Sequence, residues 1–284
     1  MQHKQWRKFE EFCFIGLMRL ALLIALLGLV SILLTITWRG LAALSWEMVS
    51  QPPSAGFYLG GDGGILHAIL GSLYLATGAT LLATLIAVPV VLYINTYGRG
   101  SAIAETVRLV LNILWGMPSI VFGVFILGLL LAFGLRTSLL AGIITLALVI
   151  LPILARTFDE VVRLVPHDLS DATLALGTTR LELSIMLLRQ TIPGLLAGLF
   201  LAFERALGDG AAVLFTAGFT STMPTSLFQP VASLPLVIFF QLATPFPEVQ
   251  ARAYAAALIL TAIVLTFGML GYFFLHHFGR HVIR

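Results

Sequence analysis

Six apolar runs, each long enough to cross a lipid bilayer, divide this chain: residues 15–37, 69–97, 109–133, 138–158, 191–219 and 254–278. A helix needs about 20 apolar residues to span the hydrocarbon layer, within a range of about 17–25. No water is present there to bond a free N–H or carbonyl, so each run has to be helical. A soluble alternative fails on quantity: of 284 residues, 59% are hydrophobic and 10% charged, and the mean hydropathy is +1.03. One core cannot bury so much apolar surface. The expected fold class is therefore an all-α integral membrane protein, a single transmembrane domain over residues 1–284 with six spans.

The 16 Lys and Arg residues orient the bundle. With the N-terminus in the cytoplasm, Lys4, Arg7, Lys8, Arg19, Arg99, Arg108, Arg156, Arg163, Arg180, Arg189, Arg280 and Arg284 fall inside. Only Arg39, Arg136 and Arg252 fall outside, and Arg205 lies within a span. Cytoplasmic segments carry the excess of Lys and Arg, so both termini are expected in the cytoplasm. The pI of 9.3 matches contact with anionic lipid headgroups, and no basic stripe interleaved with aromatics points to nucleic acid. Residues 20–38 are uncharged throughout, longer than the roughly 7–15 residues of a signal core, so the first span is expected to be a retained anchor. Cys13 is the only cysteine, which excludes an internal disulfide.

Between the fourth and fifth runs lies a polar cytoplasmic loop, residues 159–190. Pro166 suits the first position of a helix and Gly177 the left-handed residue just past a helix end, which predicts a helix over 166–176. Leu169, Thr173 and Leu176 recur at i, i+4 and i+7 along one stripe, with Asp168, Ser170 and Asp171 off it. Ala172 and Ala175 leave room for another surface to come close. Thr179 and Glu182 fit a capping box that opens a second helix, ending near Pro193. Two short helices hinged on one glycine suit a part that transmits force to a partner; an ordinary solvated loop is the alternative.

The chain lacks the parts of an enzyme. Its only lysines are Lys4 and Lys8, ahead of the first span, so no G-x-x-x-x-G-K-[ST] loop exists and ATP-driven work requires another polypeptide. The histidines, His3, His67, His167, His276, His277 and His281, lie in loops or near the termini, with no H-E-x-x-H and no cysteine cluster. No catalytic residue, cofactor or metal site is expected of this chain. One charged cluster does sit at membrane depth: Glu204, Arg205 and Asp209. Ionised groups there are costly unless paired or facing water, which makes them functional candidates. Arg205 and Asp209, four apart, project about 40° from each other and can pair; Glu204 lies about 100° round the helix from Arg205. Gly208 and Gly210 permit close approach or local unwinding. The planar fork of a guanidinium suits a tetrahedral oxyanion, while a purely structural ion pair is the other reading. Pro89, Pro118 and Pro152 invite kinks in the second, third and fourth spans. Outside the membrane, residues 51–64 read as an irregular loop. Residues 220–252, interrupted by five prolines, contain a run at Leu234–Leu242 too short to span and read as a docking surface or a lid.

Asp171-Ala-Thr-Leu-Ala-Leu-Gly177, followed by Ile192-Pro193, resembles the Glu-Ala-Ala loop of binding-protein-dependent ABC importer permeases. Nearly the whole chain is similar to the phosphate-importer permeases of that family. The matching pieces are Pro52-Pro53, Asn112-Ile-Leu before Pro118-Ser-Ile-Val-Phe-Gly123, Leu164-Val-Pro166, Leu174-Ala-Leu-Gly177-Thr178, Arg205-Ala-Leu-Gly208-Asp209, Leu214-Phe-Thr-Ala217 and Gln229-Pro-Val-Ala-Ser-Leu-Pro235. The resemblance implies a six-transmembrane-helix type I ABC importer permease with a cytoplasmic coupling helix, in the bacterial cytoplasmic membrane. It implies as partners a homologous second permease subunit, a cytoplasmic ATPase dimer holding ATP-Mg, an extracytoplasmic phosphate-binding protein, and phosphate as cargo. The 166–176 helix is then expected in a groove of the ATPase, with Leu169, Asp171, Ala172, Thr173, Leu176 and Gly177 as coupling residues. Arg205, Asp209 and Glu204 are expected on the substrate pathway. The chain departs from the family pattern in two places. The triplet reads Asp171-Ala172-Thr173, and where the family has Arg-x-x-Gly-Glu-Thr-Ala-Pro this chain has Arg205, Gly208, Asp209, Gly210, Ala211 and Ala212. Glu204 adds a negative charge that opposes an incoming anion unless it is protonated or a partner supplies a cation. A stand-alone channel or proton-coupled transporter using Glu204 and Asp209 as a relay is the rival expectation.

Overall fold

The computed structural model describes residues 2–54 and 63–278, so most of the 51–64 loop, and the termini with Arg280, His281 and Arg284, lie outside the described residues. Among the described residues the regular secondary structure is helical, apart from one isolated bridge, Pro53 to Gly63. A long α1 (Gln2–Ala43) and a single-turn α2 (Trp46–Ser50) precede α3 (Leu66–Thr96), α4 (Ala102–Trp115), α5 (Ser119–Ala132) and α6 (Leu139–Arg163). Then follow α7 (His167–Ala175), α8 (Arg180–Gly208), a one-turn α9 (Gly210–Val213), α10 (Leu234–Leu242) and α11 (Pro247–Phe278). Five of these, α1, α3, α6, α8 and α11, are long and apolar enough to cross a membrane; α4 and α5 make a sixth crossing only as a pair bent by 100°.

That bend falls at Pro118, where the sequence invites a kink in the third span, and divides 109–133 between two helices. Pro118 has no N–H to give and disfavours helical backbone at Met117, and Gly116 closes α4 by donating to the Asn112 and Ile113 carbonyls at 3.3 and 3.1 Å. The chain therefore turns between Trp115 and Ser119. The polar loop and the fifth run differ from expectation. The second short helix does not stop at Pro193; α8 runs unbroken through it, forgoing one backbone hydrogen bond. The break comes instead at Gly208-Asp209, so 191–219 is not one helix.

Helices α3, α6 and α8 form the centre. Ala76, Ala79, Ala83 and Ala87 make a fully buried small-residue stripe on α3, packed in one cluster with Leu146, Ile150, Leu154 and Phe158 of α6 and Ala202, Ala206 and Leu207 of α8. Small residues matter because lipid is as apolar as any side chain, so helices in a bilayer gain from close approach rather than from escaping water. Helix α1 packs chiefly along α11, where Gly40 sits against the Tyr254 carbonyl and Leu258.

The segment after α9 is largely exposed over residues 221–230 and buried from Val231 to Leu234. It enters the bundle, and its carbonyls cap the start of α6: Ser138 N donates to Thr216 O at 3.0 Å, Leu139 N to Gln229 O at 2.8 Å and Leu140 N to Leu227 O at 2.8 Å. Leu234 N, at the start of α10, donates to Ser72 Oγ of α3 at 2.8 Å. Gly71 permits this docking, since a Cβ there would strike the Ala232 carbonyl. Gly71→Val should therefore lower the stability of the folded protein by about 1–3 kcal/mol, the usual penalty for overpacking a filled site. Thermal unfolding in detergent tests this, and an unchanged midpoint would mean the contact is slack.

Candidate functional site

The polar loop folds as two helices joined at Gly177. Helix α7 begins one residue later than expected: Pro166, with φ −57° and ψ 137°, is the N-cap rather than the first helical residue. At the other end Gly177 takes φ +79°, the left-handed turn that a side chain resists. The capping box is present, with Thr179 N donating to Glu182 Oε2 at 2.7 Å and Glu182 N to Thr179 Oγ1 at 3.3 Å. Three contacts tie this unit to the end of α3. Arg99 Nη2 lies 2.7 Å from His167 Nδ1, Arg180 Nη1 donates to Tyr97 O at 3.2 Å, and Ser184 Oγ donates to Thr96 Oγ1 at 3.1 Å.

The side that α7 turns inward is polar; its buried residue is Ser170. The leucines are exposed: Leu169 and Leu174 are exposed and Leu176 is 85% exposed, together with Leu164 and Leu181 on the flanks. Asp171, Ala172 and Gly177 are exposed beside them, and Thr173 is partly buried with its hydroxyl donating to Leu169 O at 2.7 Å. An apolar patch on a short, rigidly mounted helix in a polar loop marks an interaction surface.

The membrane cluster separates into two. Asp209 ends α8 and starts α9: its Oδ1 accepts from Ala212 N at 3.0 Å, the N-cap bond of the short helix. Its Oδ2 lies 3.0 Å from Arg205 Nη2, an ion pair without hydrogen-bond alignment. The Asp209 side chain is 2% exposed and that of Arg205 50%. Gly208 and Gly210 flank the break. Pro235 of α10 packs on Gly210, and Gly123 of α5 sits on the Ala212 carbonyl, so the unwound turn is held from two sides. Glu204 faces elsewhere. It abuts Gly268 of α11, where a Cβ would come within 3.2 Å of Oε1, and opens on a groove lined by Val264, Leu265, Met269 and Tyr272.

The α8–α11 contact also sets the depth of the cluster. At 1.5 Å per residue Gly268 is about 30 Å along α11 from Pro247 and about 15 Å from Phe278, which puts Glu204 and its neighbour Arg205 well inside the bilayer. Among the described residues the Arg205 guanidinium donates no hydrogen bond. A half-exposed guanidinium at that depth is costly in hydrocarbon unless it is paired, as Arg205 is with Asp209, or faces water or a polar surface.

One polar group was not anticipated from sequence. Asp159 of α6, Arg108 of α4 and Asn95 of α3 meet at the end of the bundle that carries α7. The available signal was an Asp and an Arg immediately beside apolar runs, each of which reads as an ordinary loop charge.

Residues 79–284 match the family model of the binding-protein-dependent transport system inner membrane component. The chain is 34% identical over 273 residues to a phosphate transport system permease protein PstA of Haemophilus influenzae, with 96% of each chain covered. It is 35% identical over 270 residues to the protein of that name in Yersinia pestis, covering 93% of this chain and 90% of the relative. It is 32% identical over 210 residues to phosphate transport system permease protein PstA 1 of Mycobacterium tuberculosis, covering 73% and 69%. Among solved structures, an inward-facing MetNI methionine ABC transporter chain superposes with TM-score 0.58 at 21% identity, covering 78% of this chain and 96% of that one, a likeness of fold.

Proposed function

This chain belongs to the family of binding-protein-dependent transport system inner membrane components, and from that membership we propose that it is the transmembrane permease subunit of an ATP-driven inorganic phosphate importer. Relatives that match it over nearly their full length are phosphate transport system permeases by name. In this reading the chain forms half of the translocation pathway beside a related second permease. ATP-Mg is held and hydrolysed by a cytoplasmic ATPase pair, and phosphate is delivered by an extracytoplasmic binding protein. Both termini lie in the cytoplasm of the bacterial cell, as the Lys and Arg bias supports.

The observation that carries the reading is Arg205. Its guanidinium is half-exposed inside the bilayer, its donors are unused, and Asp209 holds it through charge alone. Such a fork binds a tetrahedral oxyanion with charge-assisted hydrogen bonds. Asp209 competes for the same guanidinium, which keeps the anion's stay short, as passage requires. Leu169, Asp171, Ala172, Thr173, Leu176 and Gly177 form the ATPase contact. Closure of the ATPase pair on ATP displaces α7, and the bundle switches between inward and outward openings, the receptor favouring the outward one. Glu204 lines the α8–α11 side of the same level and stands off the Arg205 face.

Reconstitution tests the whole reading. Liposomes holding the chain with its second permease and ATPase, supplied with the binding protein, should accumulate radiolabelled phosphate only when ATP is present. Flux through this chain alone, without ATP or partners, would establish a stand-alone channel or proton-coupled transporter instead.

A further inference from the structure

We propose that Asp159, held by Arg108 and Asn95, is the joint that carries displacement of α7 into α4 and α5, a positioning residue for the transport cycle. The inference rests on the reading of α7 as the ATPase contact and not on the identity of the cargo. Arg108 Nε donates to Asp159 Oδ2 at 2.9 Å and Nη2 to Oδ1 at 3.0 Å, a two-bond fork. The same Nη2 donates to Asn95 Oδ1 at 3.2 Å, and Asn95 Nδ2 donates to Asp159 Oδ1 at 2.7 Å. Arg163 Nη1, one turn on, lies 3.9 Å from Oδ2. The Asp159 side chain is 10% exposed and that of Arg108 27%. Three helices are thus pinned at one carboxylate.

Burying a carboxylate is a poor way to gain stability, because desolvation offsets most of the Coulomb attraction and an apolar filler does as well. What the two-bond fork supplies is fixed relative orientation. The orientation it fixes lies between helices that lead to both functional elements. In one direction α6 ends at Arg163, and Pro166 and α7 follow at once. In the other, α4 is fastened a second time where the Arg156 guanidinium lies 4.1 Å from the Trp115 ring centre, then turns through the 100° bend into α5. Gly123 of α5 sits on the Ala212 carbonyl of α9, the turn capped by Asp209, which pairs with Arg205. A path of packed elements therefore joins α7 to the anion site, and Asp159 is the carboxylate that Arg108 bonds in its first joint. Without it α4 follows α6 and α7 only through the Arg156–Trp115 contact and apolar packing.

Two measurements on the complete complex test this. With Asp159→Asn, phosphate transported per ATP hydrolysed should fall about fivefold, within the span reported for residues along coupling paths, while the ATPase copurifies as with the unaltered chain. A merely structural residue would reduce yield without changing that ratio, so an unchanged ratio overturns the positioning role. The second measurement is independent of cargo. Spin labels placed at Ile103 of α4 and Asp168 of α7, after Cys13→Ser, should show one distance with and without trapped ATP when Asp159 is present. In Asp159→Asn the distance should broaden and shift with nucleotide; the same single distance in the assembled variant overturns the joint. Should Asp159→Asn fail to assemble, Asn95→Ala removes one arm of the junction and is read in its place, with a drop in the ratio of about twofold expected.

Discussion

Replacing Arg205 with Ala should cut ATP-driven phosphate uptake by about 100-fold while the complex stays assembled. Two charge-assisted hydrogen bonds to the anion are worth about 3 kcal/mol together, and each 1.4 kcal/mol is a factor of about ten. Assembly is expected to survive because the side chain is half-exposed and among the described residues donates no hydrogen bond within the chain. The Asp209 cap on Ala212 N does not involve it either. What the variant does leave behind is a buried Asp209 carboxylate without its counter-ion, so Arg205→Lys is the needed companion. It keeps the charge and loses the fork, and should recover assembly fully and uptake only in part. Uptake into proteoliposomes and gel filtration of the detergent complex read the two quantities separately. Uptake within twofold of the unaltered protein would remove Arg205 from the pathway, and loss of the complex would make the pair structural.

A charge at Ala172 should have an effect of similar size on a different step. Ala172 is exposed on the outward side of α7, beside Leu169 and Leu176, where a small residue lets a groove close around the helix. Ala172→Glu puts a longer side chain and an unpaired charge into that contact, at a cost of about 2 kcal/mol or more, or about 30-fold weaker association with the ATPase. The helix itself should be unharmed, because Glu is a good helix former and the position touches nothing the chain needs to fold. Copurification of a tagged ATPase measures the loss. Normal copurification together with normal ATP-driven uptake would move the docking surface off α7.

These two experiments bear on parts of the molecule that were unequally legible in the sequence. For α7 nearly everything was written locally: the proline before it, the glycine after it, and the Thr179 to Glu182 box that opens α8. Each depends on backbone groups a few residues apart, and each end of the helix lies one residue inside its expected bound. The membrane cluster was half legible. Helical spacing brought Arg205 and Asp209 together, but the pair forms across a helix end, where Asp209 leaves the helix to cap α9. Helical spacing also set Glu204 on another flank, yet only packing shows that Gly268 of α11 is what it meets. The junction at Asp159 was not legible, since its members come from three helices and each alone looks like a charge at the membrane edge.

That the chain crosses a membrane as helices was readable from sequence alone, because in a solvent without hydrogen-bonding partners each segment has to satisfy its own backbone; where the third and fifth runs break was not. The sequence also determined the ends of the short helices, where one residue's φ or one side-chain oxygen decides. Only the tertiary structure decided that Pro118 turns the chain by 100° while Pro193 does not break α8. A proline costs about the same locally in either place, and the neighbours that hold or release the helix on both sides come from distant parts of the chain. The same holds for charge. Whether an ionised side chain is a loop residue, a joint between helices or a ligand for an anion depends on what packs across from it, and no local pattern contains that information.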